Sequence, residues 1–279
     1  MKLGSFEMEI RNILVGLTID LVDPDVVALS VDLARRHNAS LTGFVAAQPP
    51  VVASMGAGDV AAALYTEQLG EIEASLTTAR DKFAELVPAE LNHKWVGLVQ
   101  QPSQGLIGAA RTADLIVIGS PGEARDDGYR TIDIGEVVLG AGRPVLIAAA
   151  GSTTLKAAKV IVAWKDTKEA RRAVVDALPL LKSASDVEVV VIDEGSLGPE
   201  RASMQDAVAW LESHGVKARG DVLPNEGGAA QSILAAAKAA DADLIVSGAY
   251  GHSRLREWLV GGGTRDLLSS PGIHRLLSN

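Results

Sequence analysis

The sequence predicts an α/β protein made of two doubly wound, mostly parallel five-stranded sheets, each flanked by helices. Three observations carry that expectation. Short apolar runs without charge alternate with stretches whose apolar residues recur every three to five positions, which is the rhythm of buried parallel strands and amphipathic helices. The order of these runs is written twice, and Asp114-Leu-Ile-Val-Ile-Gly119 is matched by Asp243-Leu-Ile-Val-Ser-Gly248. The 279 residues are also enough for two units that each bury a core.

In the first copy, Asn12 to Thr18 reads as a buried strand, and Pro24 to Asn38 as the helix that follows it. Leu41 to Ala46 is a second strand. A loop rich in proline, glycine and small residues, 48–58, leads into a long amphipathic helix over Val60 to Leu86. Trp95 to Val99, Asp114 to Ile118 and Pro144 to Ala149 are the remaining strands, with a short helix over Gln104 to Arg111. The polar segment Gly151-Ser-Thr-Thr154 suits a linker, which gives expected units of 9–150 and 157–279.

The second copy repeats the pattern. Lys159 to Lys165 is its first strand, Glu169 to Leu181 a helix, Val187 to Asp193 the second strand and Ala202 to His214 a helix. Val216 to Leu223 is the third strand, Gly228 to Ala239 a helix, and Asp243 to Gly248 the fourth strand. The first strands are offset by 159 − 12 = 147 and the fourth by 243 − 114 = 129, so the copies differ by 18 residues, placed in the Pro49 to Tyr65 insertion. Such internal similarity is direct evidence of duplication.

Composition narrows the partners. A net charge of −9 supplies no basic face for nucleic acid or an anionic membrane. No apolar stretch is long enough to span a bilayer. With no cysteine, disulfides, thiolate catalysis and Cys-ligated zinc are excluded, and the expected setting is the cytoplasm. The five histidines show no pair at helical ligand spacing, so no metal site is expected.

The chemistry concentrates after the last long apolar run. Gly248, Gly251 and the cluster Gly261, Gly262, Gly263 precede Thr264, a residue able to cap a helix. Unpaired N–H groups at a helix start hold an anion without a lysine, so this stretch reads as a phosphate site. A Walker loop would need Gly-Lys-Ser/Thr, and a dinucleotide fingerprint Gly-x-Gly-x-x-Gly after the first strand of its unit; neither is present.

The spacing of glycine, two residues, glycine, nine residues, glycine, within Gly248-Ala-Tyr-Gly-His-Ser-Arg-Leu-Arg-Glu-Trp258, resembles the nucleotide loop of the universal stress protein family. The resemblance covers nearly the whole chain as two units in tandem. It implies a Rossmann-like, adenine nucleotide alpha hydrolase-like fold and a stress-response regulator binding ATP or another adenine nucleotide, with Mg2+ as a companion ion. Activity would be at most slow hydrolysis or autophosphorylation, without assigned catalytic residues. Carried onto the second copy, adenosine contacts fall to the turn Trp164-Lys165-Asp166 with the preceding Ala163, and to Ile192 and Asp193. Phosphate contacts fall to Gly248, Gly251, Gly261, Gly262, Gly263 and Thr264, and Ser247 beside them belongs to the same nucleotide-binding set. Lys165 stands where the family has aspartate, with Asp166 one place later, and Gly262 stands where Ser or Thr is common. As residues, Lys165, Arg254 and Arg256 read more simply as solvated cations than as phosphate ligands.

The first copy departs from this pattern. After Gly119-Ser-Pro-Gly122 come Glu123, Arg125, Asp126, Asp127, Arg130 and Asp133 without a glycine cluster, and the expectation is that these carboxylates repel a phosphate and that the copy has lost the nucleotide. Two other classes stay open. One is an enzyme on the same sheet, such as an ATP pyrophosphatase or an electron-transfer flavoprotein relative, against which stands the lack of an acid, base or nucleophile cluster around 248–264. The other is a nucleotide-free scaffold for a protein or a small apolar ligand. For assembly, duplication suggests an intramolecular pseudo-dimer whose pairing edges are Pro144 to Ala149 and Ile273 to Leu277, with pairing of chains into a homodimer left open.

Overall fold

The computed structural model describes residues 9–50, 58–120, 128–195, 197–249 and 272–279. In order, the elements are β1 (Asn12–Leu17), α1 (Pro24–His37), β2 (Ser40–Ala47), α2 (Gly58–Leu86), β3 (His93–Val99), α3 (Pro102–Ala109) with a 3-10 turn at Ala110–Thr112, β4 (Leu115–Gly119), α4 (Ile134–Gly140) and β5 (Val145–Ala148). There follow β6 (Lys159–Ala163), α5 (Lys168–Leu181), β7 (Asp186–Ile192), α6 (Leu197–Ser213), β8 (Ala218–Leu223), α7 (Ala229–Ala239), β9 (Leu244–Gly248) and β10 (His274–Ser278).

Local chemistry explains the boundaries. Helix α1 starts where Asp23 accepts a hydrogen bond from the Asp25 N–H with Pro24 in the first turn, and ends at Asn38 in the left-handed region, φ 51°. Helix α5 is capped by Thr167, whose Oγ1 accepts from the Ala170 N–H at 3.2 Å. An aspartate ahead of the fourth strand of each half ties that strand to the first. Asp114 Oδ2 accepts from the N–H groups of Arg11 and Asn12, and the Asp243 carboxylate from those of Ala158 and Lys159. Helix α4 was not foreseen from sequence. Asp133, expected to repel a ligand, instead caps it by accepting from the Glu136 N–H at 2.9 Å.

The strands form one ten-stranded sheet in the order β3-β2-β1-β4-β5-β10-β9-β6-β7-β8. The two five-strand sets therefore share a sheet rather than forming separate ones. All pairings are parallel except β5 with β10. These two strands overlap the closing runs singled out as pairing edges, β10 reaching one residue further to Ser278. Val117 pairs with Leu146 and Val246 with Leu276, and 246 − 117 equals the offset of 129 between the halves, so Leu146 and Leu276 are equivalent positions. They face each other across the antiparallel pair, so a local twofold axis passes between them.

Alternation along the strands divides the core. Ile13, Val15 and Leu17 join Val160, Val162 and Leu276 in a cluster continuous across the seam, which also takes in buried residues of α1, α2, α5 and α6. On the opposite face, the first half packs Leu14, Ile116 and Ile118 with α3 and α4, and the second half packs Ile161, Val190 and Ile245 with α7. Among the described residues no helix is long and apolar enough to cross a membrane.

Candidate functional site

In an open parallel α/β sheet, space for a ligand arises beyond the carboxyl ends of the strands. In the second half a cleft of about 360 Å³ lies there, at the ends of β6, β7 and β9. It gathers Ala163, Trp164, Lys165, Asp166, Ile192, Ser247 and Gly248 from the sequence-derived set. Asp193 is not among the lining residues; its Oδ1 accepts from the Gly195 N–H at 2.8 Å and so shapes its own turn. Gly251, Gly261, Gly262, Gly263 and Thr264 lie outside the described residues.

The turn after β6 is tight, with the Thr167 N–H donating to the Lys165 carbonyl at 2.7 Å. Trp164 is half-buried and its indole N–H donates to Ser203 Oγ at 3.3 Å, which ties the turn to α6. Lys165 Nζ pairs with Glu194 Oε2 at 3.0 Å, and Asp166 pairs with Arg171 on α5. Both charges of the turn thus have protein partners, and because these pairs are exposed each contributes at most about 1 kcal/mol.

The walls differ in chemistry. Asp166 in the turn after β6 and Glu194 and Glu200 toward α6 place three carboxylates beside Lys165, the one cation among the described lining residues. On the α7 side, Ala163, Val190, Ile192 and Ile233 present hydrocarbon, with Ser247 among them. Phosphate would not be drawn to these walls. A flat, mainly apolar group with hydrogen-bonding edges fits them better.

Two strand-end residues stand out. A Cβ built on Gly248 would lie 2.4 Å from the Ala170 nitrogen and 2.5 Å from the Glu169 carbonyl carbon, so the glycine is needed for β9 to pass the start of α5. Ser247 is 5 % exposed and its Oγ has no hydrogen-bond partner among the described residues. Sequence reasoning did not find Glu194, Pro199, Glu200, Ser203, Ala229 or Ile233, because their place in the wall depends on how α6 and α7 fold back over the sheet. The hydrocarbon character of 229–237 was visible in the sequence, but the face it covers was not.

The first half is closed at the equivalent place. Beyond the end of β2, the Gln48 N–H donates to the Tyr129 carbonyl at 2.9 Å. Beyond β1, Arg130 Nε donates to Asp20 Oδ2 at 2.9 Å, and Ile132 packs into the core beside Leu106 and Ile118. Charge repulsion was the expected obstacle here; the described part of that tract instead covers the strand ends with chain. Glu123, Arg125, Asp126 and Asp127 lie outside the described residues. A wider groove of about 610 Å³ runs along β3 and α3, lined by Lys94, Gln100, Gln104 and Arg111, and holds none of the candidate residues.

Neither a family model nor a curated protein matches the sequence. Solved structures do match. A universal stress protein from Archaeoglobus fulgidus aligns over 98% of this chain and 97% of its own, at 15% identity and a TM-score of 0.63. A putative universal stress protein from Pseudomonas aeruginosa covers 98% and 94% of the two chains at 16% identity and a TM-score of 0.55. A functionally unknown protein from the same species gives 98% and 93%, 16% and 0.54. At such identities the likeness speaks for the fold, and it runs through both halves: the α/β architecture, with its mostly parallel sheet between helices, is that of universal stress protein structures.

Proposed function

We propose that the chain is a stress-response regulator made of two universal stress protein units, 9–150 and 157–279, that holds one adenine nucleotide, ATP with Mg2+ or a relative, in the second. The observation that carries this reading is the cleft beyond β6, β7 and β9, which brings together residues from three separated segments that the family resemblance names for adenosine and for the first loop glycine. Its hydrocarbon and hydrogen-bonding walls suit the nucleoside. The phosphates are assigned to backbone N–H groups of Gly251, Gly261, Gly262, Gly263 and Thr264. The lack of cysteine fits a reducing compartment, and we assign the protein to the cytoplasm.

Isothermal titration with ATP and Mg2+ tests the reading. One site per chain is expected. Gly262→Asp should abolish binding, because one added charge at about 4 Å costs on the order of 4 kcal/mol at a surface-like dielectric, roughly a thousandfold in affinity. Gly122→Asp in the first half should change little. Two sites per chain would mean that the first half binds as well. No binding at all would favour a nucleotide-free scaffold, a reading whose support is the Lys165–Glu194 pair closing one rim and the three carboxylates beside it.

A further inference from the structure

The sheet ends on two edge strands, β3 and β8, and they are finished differently. Successive residues of a parallel strand aim their N–H and C=O groups to opposite sides. At β8 the Lys217 and Leu223 carbonyls accept from the N–H groups of Val187 and Asp193, so the backbone groups of Ala218, Gly220 and Val222 face outward. That edge is blunted. The outward N–H of Val222 donates to Asp221 Oδ1 at 2.8 Å, and Arg219, held by Asp186 and Glu188, adds charge beside it. At β3 the Asn92 carbonyl accepts from Leu41 and the Gln100 N–H donates to Ala47, so the backbone groups of His93, Trp95, Gly97 and Val99 face outward. After Lys94 this strand reads Trp95-Val-Gly-Leu-Val99, without charge or proline, and Leu98 and Val99 are 36 % and 43 % exposed. Among the described residues nothing pairs with it. An edge left in this state is a template for another strand.

The face beside this edge is open as well. By alternation with Val96, which packs against the cluster under α3, Lys94, Leu98 and Gln100 stand on the α3 side and line the groove of about 610 Å³. Its charge runs against that of the chain. The protein carries −9 overall, yet Lys94 and Arg111 border the groove with no carboxylate among its described lining residues. The acids nearby are engaged elsewhere: Glu136 accepts from the side chains of Gln101 and Gln104, and Asp114 from the N–H groups of Arg11 and Asn12. Lys94 is exposed, and Arg111 is oriented by its Nε, which donates to the Gly108 carbonyl at 2.8 Å.

We propose that β3 receives an extended segment of a partner polypeptide as one more strand of the sheet, with acidic side chains of that segment alternating into the groove beside Lys94 and Arg111. The outward N–H and C=O groups of His93, Trp95, Gly97 and Val99 supply the pairing. The groove supplies selection, because every second side chain of an added strand falls on the α3 side. A second copy of this chain fits less well: its β3 brings another Lys94 and no acid to answer the first. The inference is independent of nucleotide binding, since the groove shares no residue with the cleft of the second half.

Fluorescence anisotropy of the full chain with two end-blocked, fluorescein-labelled octapeptides, one alternating Val with Glu and one alternating Val with Lys, tests this. At low salt the acidic peptide should bind about 10-fold or more tightly than the basic one. Lys94→Glu, at an exposed position, should weaken the acidic peptide about 10-fold and strengthen the basic one, with the Tm unchanged. N-methylation of alternate peptide residues separates strand addition from plain attraction. Methyl groups on one alternate set should abolish binding, since those N–H groups face β3, and on the other set should leave it intact. Equal loss from both sets, or from neither, would overturn the added strand. Equal affinity for the two peptides, or affinities unmoved by Lys94→Glu, would overturn the charge selection. Binding of neither peptide would overturn the proposal as a whole. Wild type that sediments as a dimer and becomes a monomer in Val99→Pro, where only an outward N–H is lost, would give the edge to a second copy and overturn the acidic partner.

Discussion

The carboxyl ends of β1, β2 and β4 and those of β6, β7 and β9 come from the same strand order and the same aspartate ties, yet among the described residues one set is covered by chain and the other borders a cleft. On one side the chain at Tyr129–Ile132 hydrogen-bonds to Gln48, pairs with Asp20 and adds Ile132 to the core. On the other, Trp164, Ser203 and Ser247 border a cleft of about 360 Å³. The difference teaches that duplicated sheets can keep their backbone while the space at the strand ends changes with a few side chains there and, in the first half, with the described chain at 128–133. Ile118 with Gly16 fills; Ser247 with Ala163 leaves room.

The sharpest way to stress the comparison is at the paired glycines. A Cβ on Gly248 would press on backbone atoms of Glu169 and Ala170 at 2.5 and 2.4 Å, and backbone cannot turn aside. A Cβ on Gly119 would meet Val26 Cγ2 at 3.0 Å, the end of a side chain that has some freedom to shift. Gly248→Ala should therefore cost about 3 kcal/mol or more, as overpacking that displaces α5, and Gly119→Ala about 1 kcal/mol. Urea unfolding of the two variants reads this directly, and the first should also lose ATP binding because Asp166 and Thr167 move with α5. Equal costs would mean that the fourth strand and the first helix are packed alike in both halves, and the contrast drawn at these positions would fail.

A second difference sits in the seam. His274 opens β10, and with the offset of 130 between Leu146 and Leu276 its equivalent is Pro144, just ahead of β5, which has no titratable group. His274 is buried, and its Nδ1 accepts from the Ala149 N–H at 3.1 Å, which requires that nitrogen to be unprotonated. Burial holds its pKa below the ordinary 6.5, with Arg275 acting the same way, while Asp243 and a hydrogen bond with the Thr154 backbone act against them. The unfolded chain takes up the proton as pH falls through about 6.5 and the folded chain resists it, so this contribution to stability is intact above that pH and is lost as pH falls toward the lowered folded value. His37 acts in the same direction, through burial and then Arg36. Unfolding midpoints at several pH values between 7.5 and 5 should fall in the wild type and fall less in His274→Gln, which keeps an acceptor without the charge. An unaltered slope in the variant would remove His274 as a cause.

The sequence made the strands legible because parallel strands buried on both faces must be continuous apolar runs; Asn12 to Thr18 and Asp243 to Gly248 fall within a residue or so of β1 and β9. Helix α4 was not legible, since Ile134–Gly140 is short and follows a tract dominated by charge, so its Asp133 cap looked like a member of an acidic cluster. In the site, the turn after β6 and the end of β9 could be read because the repeat aligns them. The α6 and α7 walls could not, because helices over 197–213 and 229–239 show an apolar periodicity but not which side chains overhang the strand ends. The unsatisfied hydroxyl of Ser247 was invisible for a similar reason: serine before a glycine turn is ordinary until its surroundings are known to be hydrocarbon.

The smallest effect expected concerns what keeps the first half covered. Arg130 holds Asp20 with two nitrogens, and that hydrogen-bonded pairing keeps the Asp20 carboxyl below its ordinary value of 3.8. Stability from the pair is therefore present above about pH 4 and lost as pH falls through the lowered value. Asp20 is well exposed, so the pair contributes at most about 1 kcal/mol. Loss of this pair in Arg130→Ala should cost no more than that at pH 7. It should not create a second nucleotide site, because Ile132 and Ile118 still fill the floor and the Gln48 N–H still holds the Tyr129 carbonyl. Titration of Arg130→Ala with ATP and Mg2+ should return the same one site per chain as the wild type. A second site appearing in this variant would show that an ion pair, rather than hydrocarbon packing and backbone hydrogen bonding, separates the closed half from the open one.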